Sequence, residues 1–268
     1  MSTNTQTGTG EANGRLWSVN ASDWAELQEQ YMASAYTAAL DALEVRAGTR
    51  MLDIGCGAGL ALRLAADRGA DVSGIDAAPG LLEYARRRVP GAEIVQGDLQ
   101  WLPFGDDSFD VVTGFNSFQY AADPTQALGE ARRVVASGGR VLALVWSPSE
   151  MCELAPHLQS LGALMPPPPP GAPGPFSLSE RDALEALFAA AGLEVAELTD
   201  VLCTFAYPDT DTAVAALSSA GPVARVADHA GWGAVRADIE RFLASRRQPD
   251  GTYAIRNPFR YALSTPVS

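Results

Sequence analysis

The sequence predicts a doubly wound α/β fold, in which helices cover both faces of a mostly parallel, seven-stranded sheet. Short apolar runs alternate with helical patterns along residues 50–146. A glycine-rich loop joins the first of these runs to a helix, and acidic residues end the next runs. Strands that alternate with helices pair in parallel through right-handed crossovers, so this order of elements favours an α/β sheet.

The individual elements follow from the spacing of apolar residues and from the residues that end each pattern. Strands are predicted in seven short apolar runs, at 50–54, 72–75, 94–95, 110–115, 140–146, 195–207 and 253–263. Helices are predicted where apolar residues recur every three or four positions, at 20–45, 58–67, 80–88, 124–135, 179–191, 211–219 and 232–246. Gly69 and Gly192 end two of these helices. The consecutive prolines 166–170, with Pro173 and Pro175, predict an exposed, extended connector.

The composition excludes several classes of function. The chain has 32 acidic residues and 19 basic ones, all of them Arg, so its formal net charge is −13. This excess of negative charge argues against a nucleic-acid partner. A membrane partner is not expected either, because no apolar run approaches the roughly 18 residues of a membrane span. The absence of lysine excludes a P-loop lysine and a Schiff-base lysine.

The cellular compartment is predicted from the N-terminus and the cysteines. The first residues are small and polar, without the charged and apolar regions of a secretory signal. Cys56, Cys152 and Cys203 are far apart and odd in number, which predicts neither a disulfide framework nor a metal site. Reduced thiols are typical of the cytoplasm, which is the location we expect.

The strongest chemical signal is a glycine-rich loop after the first strand. The run that contains it reads Met51-Leu52-Asp53-Ile54-Gly55-Cys56-Gly57-Ala58-Gly59. Glycines allow backbone torsions, and a close approach of a ligand, that a Cβ would prevent. A dinucleotide is disfavoured, because its fingerprint has Gly or Ala at the sixth position, where this chain has Leu60. Asp53, two residues before the first glycine, suits a bound amino group better than a phosphate.

Three polar residues end the strands that follow. Asp76, after the second strand, can accept hydrogen bonds from both hydroxyls of a ribose. Asp98, after the third, can accept from an exocyclic amine such as that of adenine, and Asn116 ends the fourth. These ends meet at one edge of a parallel sheet, where open α/β sheets bind ligands. Helix caps and turns remain the alternative roles, because Asp and Asn favour both.

In combination, these motifs resemble the class I S-adenosylmethionine-dependent methyltransferases of small molecules, including the type 11 and quinone-methyltransferase-like groups. The similarity covers residues 50–146, with further matches at 101–104, 109–110, 130–135 and 138–139. It implies S-adenosyl-L-methionine as the cofactor, a Rossmann-like core and a helical lid. The cofactor-binding residues that it implies are Trp24, Tyr31, Asp53, Gly55, Cys56, Gly57, Gly59, Asp76, Ala77, Asp98, Leu99 and Asn116.

The resemblance also assigns roles to these residues. The glycine loop would hold the methionine moiety, Asp76 the ribose and Asp98 the adenine amine, while Asn116 would line the cofactor or the reacting centre. Trp24 and Tyr31 would fold over the cofactor, although packing in the core is the alternative for both. The expected organisation is a disordered tail at 1–14, lid helices at 15–48, the cofactor-binding core at 49–147, a Pro-rich connector with helices and lid insertions at 148–252, and a final strand at 253–268.

The catalytic group is harder to assign. An oxygen or nitrogen acceptor can require a general base, for which the two histidines, His157 and His229, are the candidates, with Glu150 and Tyr120 as alternatives. The predicted activity is methyl transfer to a small, apolar or natural-product-type metabolite of secondary metabolism. The alternatives are a quinone or lipid C-methyltransferase, and a methyltransferase-like protein that binds the cofactor for a regulatory or non-methylating role.

Overall fold

The computed structural model describes residues 8–167 and 174–267. Its strands are β1 (Arg50–Ile54), β2 (Asp71–Asp76), β3 (Glu93–Gln96), β4 (Phe109–Phe115), β5 (Val135–Trp146), β6 (Leu193–Tyr207) and β7 (Tyr253–Pro266). Its α-helices are α1 (Gly10–Ser18), α2 (Ala21–Asp23), α3 (Ala33–Ala42), α4 (Leu60–Ala66), α5 (Pro79–Arg88), α6 (Pro124–Val134), α7 (Ala155–Gly162), α8 (Arg181–Ala190), α9 (Thr210–Ser218), α10 (Gly221–Ala230) and α11 (Trp232–Ala244).

The strands form one sheet in the order β3-β2-β1-β4-β5-β7-β6. Strands β1 to β5 run parallel to one another, whereas β7 lies antiparallel between β5 and β6. The fold class predicted from the sequence is therefore confirmed. The chain order reverses between β1 and β4, which creates a crevice at the carboxyl ends of these two strands.

The sheet is covered on both faces, as its apolar strands require. On one face, Leu128 of α6 and Phe188 of α8 are fully buried against β4 and β5. On the other face, α3, α4 and α9 to α11 build the larger core, with Leu40 and Ile239 at its centre. A third, smaller cluster packs Ala21 and other residues of the N-terminal segment onto the glycine loop and α5.

The N-terminus differs from the prediction. The prediction of a disordered tail over 1–14 is wrong from residue 10 onward, where α1 begins; residues 1–7 lie outside the described part of the chain. Leu16 is buried, and the backbone of Gly14 lies directly against the carbonyl oxygen of Ala77. Trp17 packs against Gly221 of α10. These tertiary contacts order a segment whose own composition is small and polar.

The helical segment after α1 is irregular. One helix was expected over 20–45, but α2 continues into a π-helical turn (Trp24–Gln28) and a 3₁₀ turn (Glu29–Met32) before α3 begins. Helices α7 and α10 were not predicted. Each carries a proline in its first turn, where the missing N–H has no helical partner to lose.

The rest of the chain adds two observations. The described ends of the Pro-rich connector, at 166–167 and 174–175, are exposed as predicted, whereas 168–173 lie outside the described residues. Among the helices of the described ranges, we find none that is both long enough and apolar enough to cross a membrane.

Candidate functional site

A cleft opens at the carboxyl ends of β1, β2 and β4, beneath the N-terminal segment. Ten of the residues predicted to bind a cofactor line this cleft: Trp24, Asp53, Gly55, Cys56, Gly57, Asp76, Ala77, Asp98, Leu99 and Asn116. The strand ends thus bring together the residues that were selected from the sequence.

The glycine loop forms the floor of the cleft between β1 and α4. Gly57 has φ of +53°, and a Cβ on it would approach only Glu29 Oε1 at 3.6 Å and Trp24 Nε1 at 3.9 Å. This face of the loop is therefore open to the cleft. Gly59 has a different role from the predicted one: it caps α4 with φ of +84°, and a Cβ there would lie 2.8 Å from Ala85 Cα. Gly59 permits α4 and α5 to pack, and it does not line the cleft.

Asp53 lies at the centre of the sheet, between its β2 partner Gly74 and its β4 partner Thr113. Its side chain is buried, and Thr113 Oγ1 donates a hydrogen bond to Oδ1 over 2.8 Å. Burial raises the pKa of Asp53 to about 8, and the nearby carboxylate of Asp76 adds to this effect. A buried carboxyl group of this kind is stabilised in its charged form by a cation that enters the cleft.

Asp76 connects the end of β2 with the glycine loop. Its Oδ2 accepts a hydrogen bond from the Gly57 N–H over 2.9 Å, and its Oδ1 accepts one from the Ala78 N–H over 2.8 Å. Burial nevertheless raises the pKa of this carboxyl group. Each oxygen of a carboxylate can accept a second hydrogen bond, so both remain able to bind hydroxyl groups of a ligand.

Asp98 is in contact with the N-terminus of α1. The Gly10 N–H donates to Asp98 Oδ2 over 2.8 Å, and the Gln100 N–H donates to Oδ1 over 2.9 Å. Thr9 Oγ1 and Asn13 Nδ2 donate to the backbone oxygen of Tyr120, over 2.6 Å and 3.0 Å. Helix α1 is therefore fastened across the cleft from β3 to the segment after β4.

Sequence reasoning missed Glu29, which lies in the 3₁₀ turn of the N-terminal segment and lines the cleft. Its side chain is 4% exposed and forms an ion pair with Arg88 at the end of α5. Burial raises the pKa of Glu29 to about 7, against the opposing effect of Arg88. Arg88 also donates to the carbonyl oxygens of Ala25 and Ala58, which ties this segment to the glycine loop.

The end of β4 holds a strained backbone and an unpaired hydroxyl. Asn116 has φ of +53°, a left-handed conformation that few residues other than glycine adopt, and its N–H donates to the Leu144 oxygen over 2.8 Å. Ser117 Oγ is buried without a hydrogen-bond partner among the described residues. Strained residues and unsatisfied buried groups concentrate at functional sites. Ser117 gave no sequence signal beyond its position after Asn116.

The remaining wall of the cleft is largely apolar and aromatic. Trp17 contacts Trp24 edge to face, with 4.8 Å between ring centroids, and contacts Tyr120 at 5.8 Å. Tyr36 packs on Phe115 at 4.5 Å. Burial raises the pKa of Tyr120 to about 12, so its hydroxyl stays protonated at neutral pH. This wall suits an apolar or planar ligand group.

Besides Gly59, the structure places three of the predicted site residues away from the cleft. Tyr31 donates a hydrogen bond to the Ala206 oxygen of β6 and packs on Phe205 and Tyr207. The irregular turns after Trp24 break the 3.6-residue phase that would have put both rings on one face. Tyr31 is therefore a packing residue, which is the alternative that the sequence left open.

Both histidine candidates also lie outside the cleft. His157 is buried on α7, where Nδ1 lies 3.0 Å from Asp238 Oδ2 of α11 and the ring packs on Phe242. Burial lowers its pKa. His229 is exposed in the last turn of α10, and neither ring lines the cleft. Glu150 is exposed as well, whereas Tyr120 does line the cleft.

Comparison with known proteins agrees with this site. Residues 52–143 match a family model described as a methyltransferase domain. The chain is similar to the demethylmenaquinone methyltransferase of Paenarthrobacter aurescens (strain TC1), with 36% identity over 108 residues, which are 40% of this chain and 43% of the relative. It is similar to the malonyl-[acyl-carrier protein] O-methyltransferase of Halorhodospira halophila, with 40% identity over 110 residues, which are 39% of this chain and 37% of the relative.

A solved structure extends the likeness to nearly the whole fold. The S-adenosylmethionine-dependent methyltransferase from Geobacter sulfurreducens, in complex with S-adenosyl-L-homocysteine, has a TM-score of 0.58 at 19% identity, covering 94% of this chain and 98% of that chain. The chain spans less than half the length of the two curated relatives it matches. These comparisons support the family recognised from the sequence: residues 52–143 match a methyltransferase domain, and the chain shares the fold of an S-adenosylmethionine-dependent methyltransferase.

Three features of the cleft fit that cofactor. The open face of Gly57 leaves room for a ligand against the backbone. The unpaired Ser117 Oγ offers a buried polar partner. Three carboxyl groups line the cleft, those of Glu29, Asp53 and Asp76, and they suit a ligand that carries an ammonium and a sulfonium charge. The donor set therefore matches the charge and the polar groups of S-adenosylmethionine.

Proposed function

We propose that this chain transfers a methyl group from S-adenosylmethionine to a small, largely apolar acceptor. The observation that carries the proposal is the mixed lining of one cleft. Carboxyl groups and glycine backbone line it together with the aromatic rings of Trp17, Tyr36, Phe115 and Tyr120. Such a lining offers partners both to a polar, cationic cofactor and to an apolar acceptor.

The glycine loop and the carboxyl groups of the cleft offer a partner for each part of the cofactor. We propose that the glycine loop at 55–57 holds the methionine moiety and that Asp76 accepts hydrogen bonds from the ribose hydroxyls. Asp98, after the end of β3, would accept from the adenine amine in addition to its bond with Gly10. When bound, S-adenosylmethionine supplies a methyl group on a sulfonium, which an acceptor atom displaces in line.

Catalysis in this cleft would rest on positioning. Both histidines lie outside the cleft, and the Tyr120 hydroxyl is a weak base in its protonated state. Holding the acceptor against the methyl group converts a bimolecular step into a unimolecular one, which can supply much of the acceleration. The apolar wall also excludes water from the reacting centre. Such a site favours an acceptor atom that is nucleophilic enough to react without a histidine that removes its proton.

A quinone-like ring is the second candidate acceptor, methylated at carbon. A relative with 36% identity is named demethylmenaquinone methyltransferase, and the aromatic wall of the cleft suits a planar ring. A role in secondary metabolism and a cytoplasmic location remain proposals. The three cysteines are all buried and unbonded, in keeping with a reducing compartment.

The test is to incubate the purified chain with S-adenosylmethionine and a metabolite extract of its source, and to search by mass spectrometry for products heavier by one CH₂ group. Appearance of such a product, together with S-adenosylhomocysteine, is the expected result. Cofactor binding without any methylated product would favour the regulatory or non-methylating alternative. A Gly57→Val variant, analysed in parallel, controls for methylation by contaminating enzymes.

A further inference from the structure

We propose that Glu29 is an additional cofactor-binding residue: its carboxylate, held in place by Arg88, receives the positive charge of the methionine moiety. This inference rests on the proposed function, because it concerns the cofactor of the same cleft. It assigns a binding role to the N-terminal segment, which lies outside residues 52–143 that match the family model.

The geometry directs the Glu29 carboxylate into the cleft. The side chain is 4% exposed yet lines the cleft, so the space that it faces is the ligand space rather than bulk solvent. Oε2 forms the ion pair with Arg88, whereas Oε1 lies 3.6 Å from the position of a Cβ on Gly57. The carboxylate thus reaches across to the open face of the glycine loop. Any group bound on that face lies within reach of Glu29.

Glu29 lies where the π turn at Trp24–Gln28 passes into the 3₁₀ turn at Glu29–Met32. It is buried, while Glu26 and Gln30 of the same segment are exposed. Single π turns inside helices occur frequently at functional sites.

The titratable groups around Glu29 are mostly acidic. Those that interact with it are Arg88 of α5, Asp53 of β1, Tyr36 of α3 and Cys56 of the loop, and Asp76 of β2 lines the same cleft. Arg88 is the one cation among these groups, against three carboxyls. Burial outweighs the effect of Arg88 and raises the pKa of Glu29 to about 7, so one partner does not fully compensate the buried charge. A second cation is what this site lacks, and the cofactor carries an ammonium and a sulfonium.

Arg88 has a positioning role in this arrangement. Its guanidinium joins Glu29, the Ala25 carbonyl and the Ala58 carbonyl, so it fixes the carboxylate relative to both the N-terminal segment and the loop. A purely structural ion pair would make the same contacts. The two roles differ in one respect: a structural pair affects every ligand of the cleft alike, whereas a binding carboxylate affects the ligands that carry the amino-acid charge.

The experiment compares Glu29→Gln with Glu26→Gln, which removes an exposed carboxylate three residues away in the same segment. Each variant is titrated by calorimetry with S-adenosylmethionine, S-adenosylhomocysteine and methylthioadenosine, which lacks the amino-acid part. For Glu29→Gln we expect the Kd of the first two ligands to rise by about 10- to 100-fold, the range for a charge-assisted hydrogen bond, and that of methylthioadenosine to change less than about twofold. Glu26→Gln should match the wild type.

A second measurement guards against loss of fold. Glu29→Asp keeps the charge and should retain more S-adenosylmethionine affinity than Glu29→Gln. Proton release on binding of S-adenosylmethionine near pH 7, obtained from titrations in buffers of different ionisation enthalpy, should be smaller in folded Glu29→Gln than in the wild type. Equal loss of all three ligands, or no loss of any, would overturn the assignment of Glu29. A folded wild type that binds none of them would instead reject the proposed function itself.

Discussion

Removal of residues 1–13 is expected to weaken cofactor binding, because these residues fasten α1 across the cleft. Three hydrogen bonds would be lost: Gly10 N–H to Asp98 Oδ2 at 2.8 Å, Thr9 Oγ1 to the Tyr120 oxygen at 2.6 Å, and Asn13 Nδ2 to the same oxygen at 3.0 Å. The sequence alone predicted the opposite, since it treated 1–14 as a tail without a role.

The magnitude follows from the chemistry of these bonds. A neutral hydrogen bond contributes about 0.5–1.5 kcal/mol and one to a carboxylate about 1.5–3 kcal/mol. At the low ends of these ranges, the two neutral bonds and the one to Asp98 together stabilise the closed position of α1 by about 2.5 kcal/mol. This free energy corresponds to about 70-fold in an equilibrium constant. Only the part of this free energy that depends on the presence of the cofactor contributes to the affinity for the cofactor. We therefore expect the Kd of S-adenosylmethionine to rise by about 10- to 70-fold.

The assay is calorimetric titration with S-adenosylmethionine, after circular dichroism and thermal melting have shown that the truncated chain is folded. Deletion of residues 1–7 is the matched control, because it leaves all three of these bonds in place. A double variant, Thr9→Val with Asn13→Leu, should reproduce part of the loss without shortening α1. If the two truncations bind the cofactor with the same Kd as the full chain, α1 does not cover the site.

Three further predictions follow from the site and from its corrections. Asp76→Ala should raise the Kd of S-adenosylmethionine by at least about tenfold, because the ribose hydroxyls and the Gly57 N–H lose a charged acceptor. Replacement of the exposed Asp71 by Ala is the control. An unchanged Kd for Asp76→Ala would limit Asp76 to a capping role. Gly57→Val should abolish cofactor binding in a folded protein, since the valine side chain would enter the cleft from a residue with positive φ. If calorimetry shows that the folded variant binds the cofactor with the affinity of the wild type, the loop assignment is refuted. His157→Gln should leave turnover within about twofold, whereas a loss of about 10²-fold or more would restore His157 as a base. Burial lowers the pKa of His157 in the folded protein below its ordinary value of 6.5. The neutral ring therefore contributes its full stability above pH 6.5, and this contribution is lost as the pH falls through the lower pKa of the folded state. His157→Gln should accordingly reduce the fall of Tm at acidic pH, compared with His229→Gln.

The residues that could be predicted from the sequence are those whose role depends on local pattern. Each of these residues lies near the carboxyl end of a strand or just after it: Asp53, the glycines, Asp76, Asp98 and Asn116. The fold carries these strand ends to one edge regardless of distant contacts. Gly59 was placed correctly in the loop, but its role depends on how closely α5 approaches Ala85. How closely α5 approaches Gly59 cannot be predicted from the local sequence.

The residues that could not be predicted depend on tertiary contacts or on a change of helical phase. Thr9 and Asn13 lie in a polar segment, and their partners are more than 100 residues away. Glu29 was not selected from the sequence, and Tyr31 was assigned from a regular helix, whereas the structure places its ring against β6. His157 was selected as one of two histidines that could act as a base, but its partner Asp238 could not be identified from spacing.

The central claim is that this cleft binds S-adenosylmethionine through its carboxylates and glycine loop. The most direct measurement is a calorimetric titration of the folded wild-type chain with S-adenosylmethionine, followed by the same titration of folded Gly57→Val. We predict saturable binding of one cofactor per chain for the wild type and no measurable heat of binding for the variant. A folded wild-type chain without binding, or a variant that binds as the wild type does, would contradict the claim.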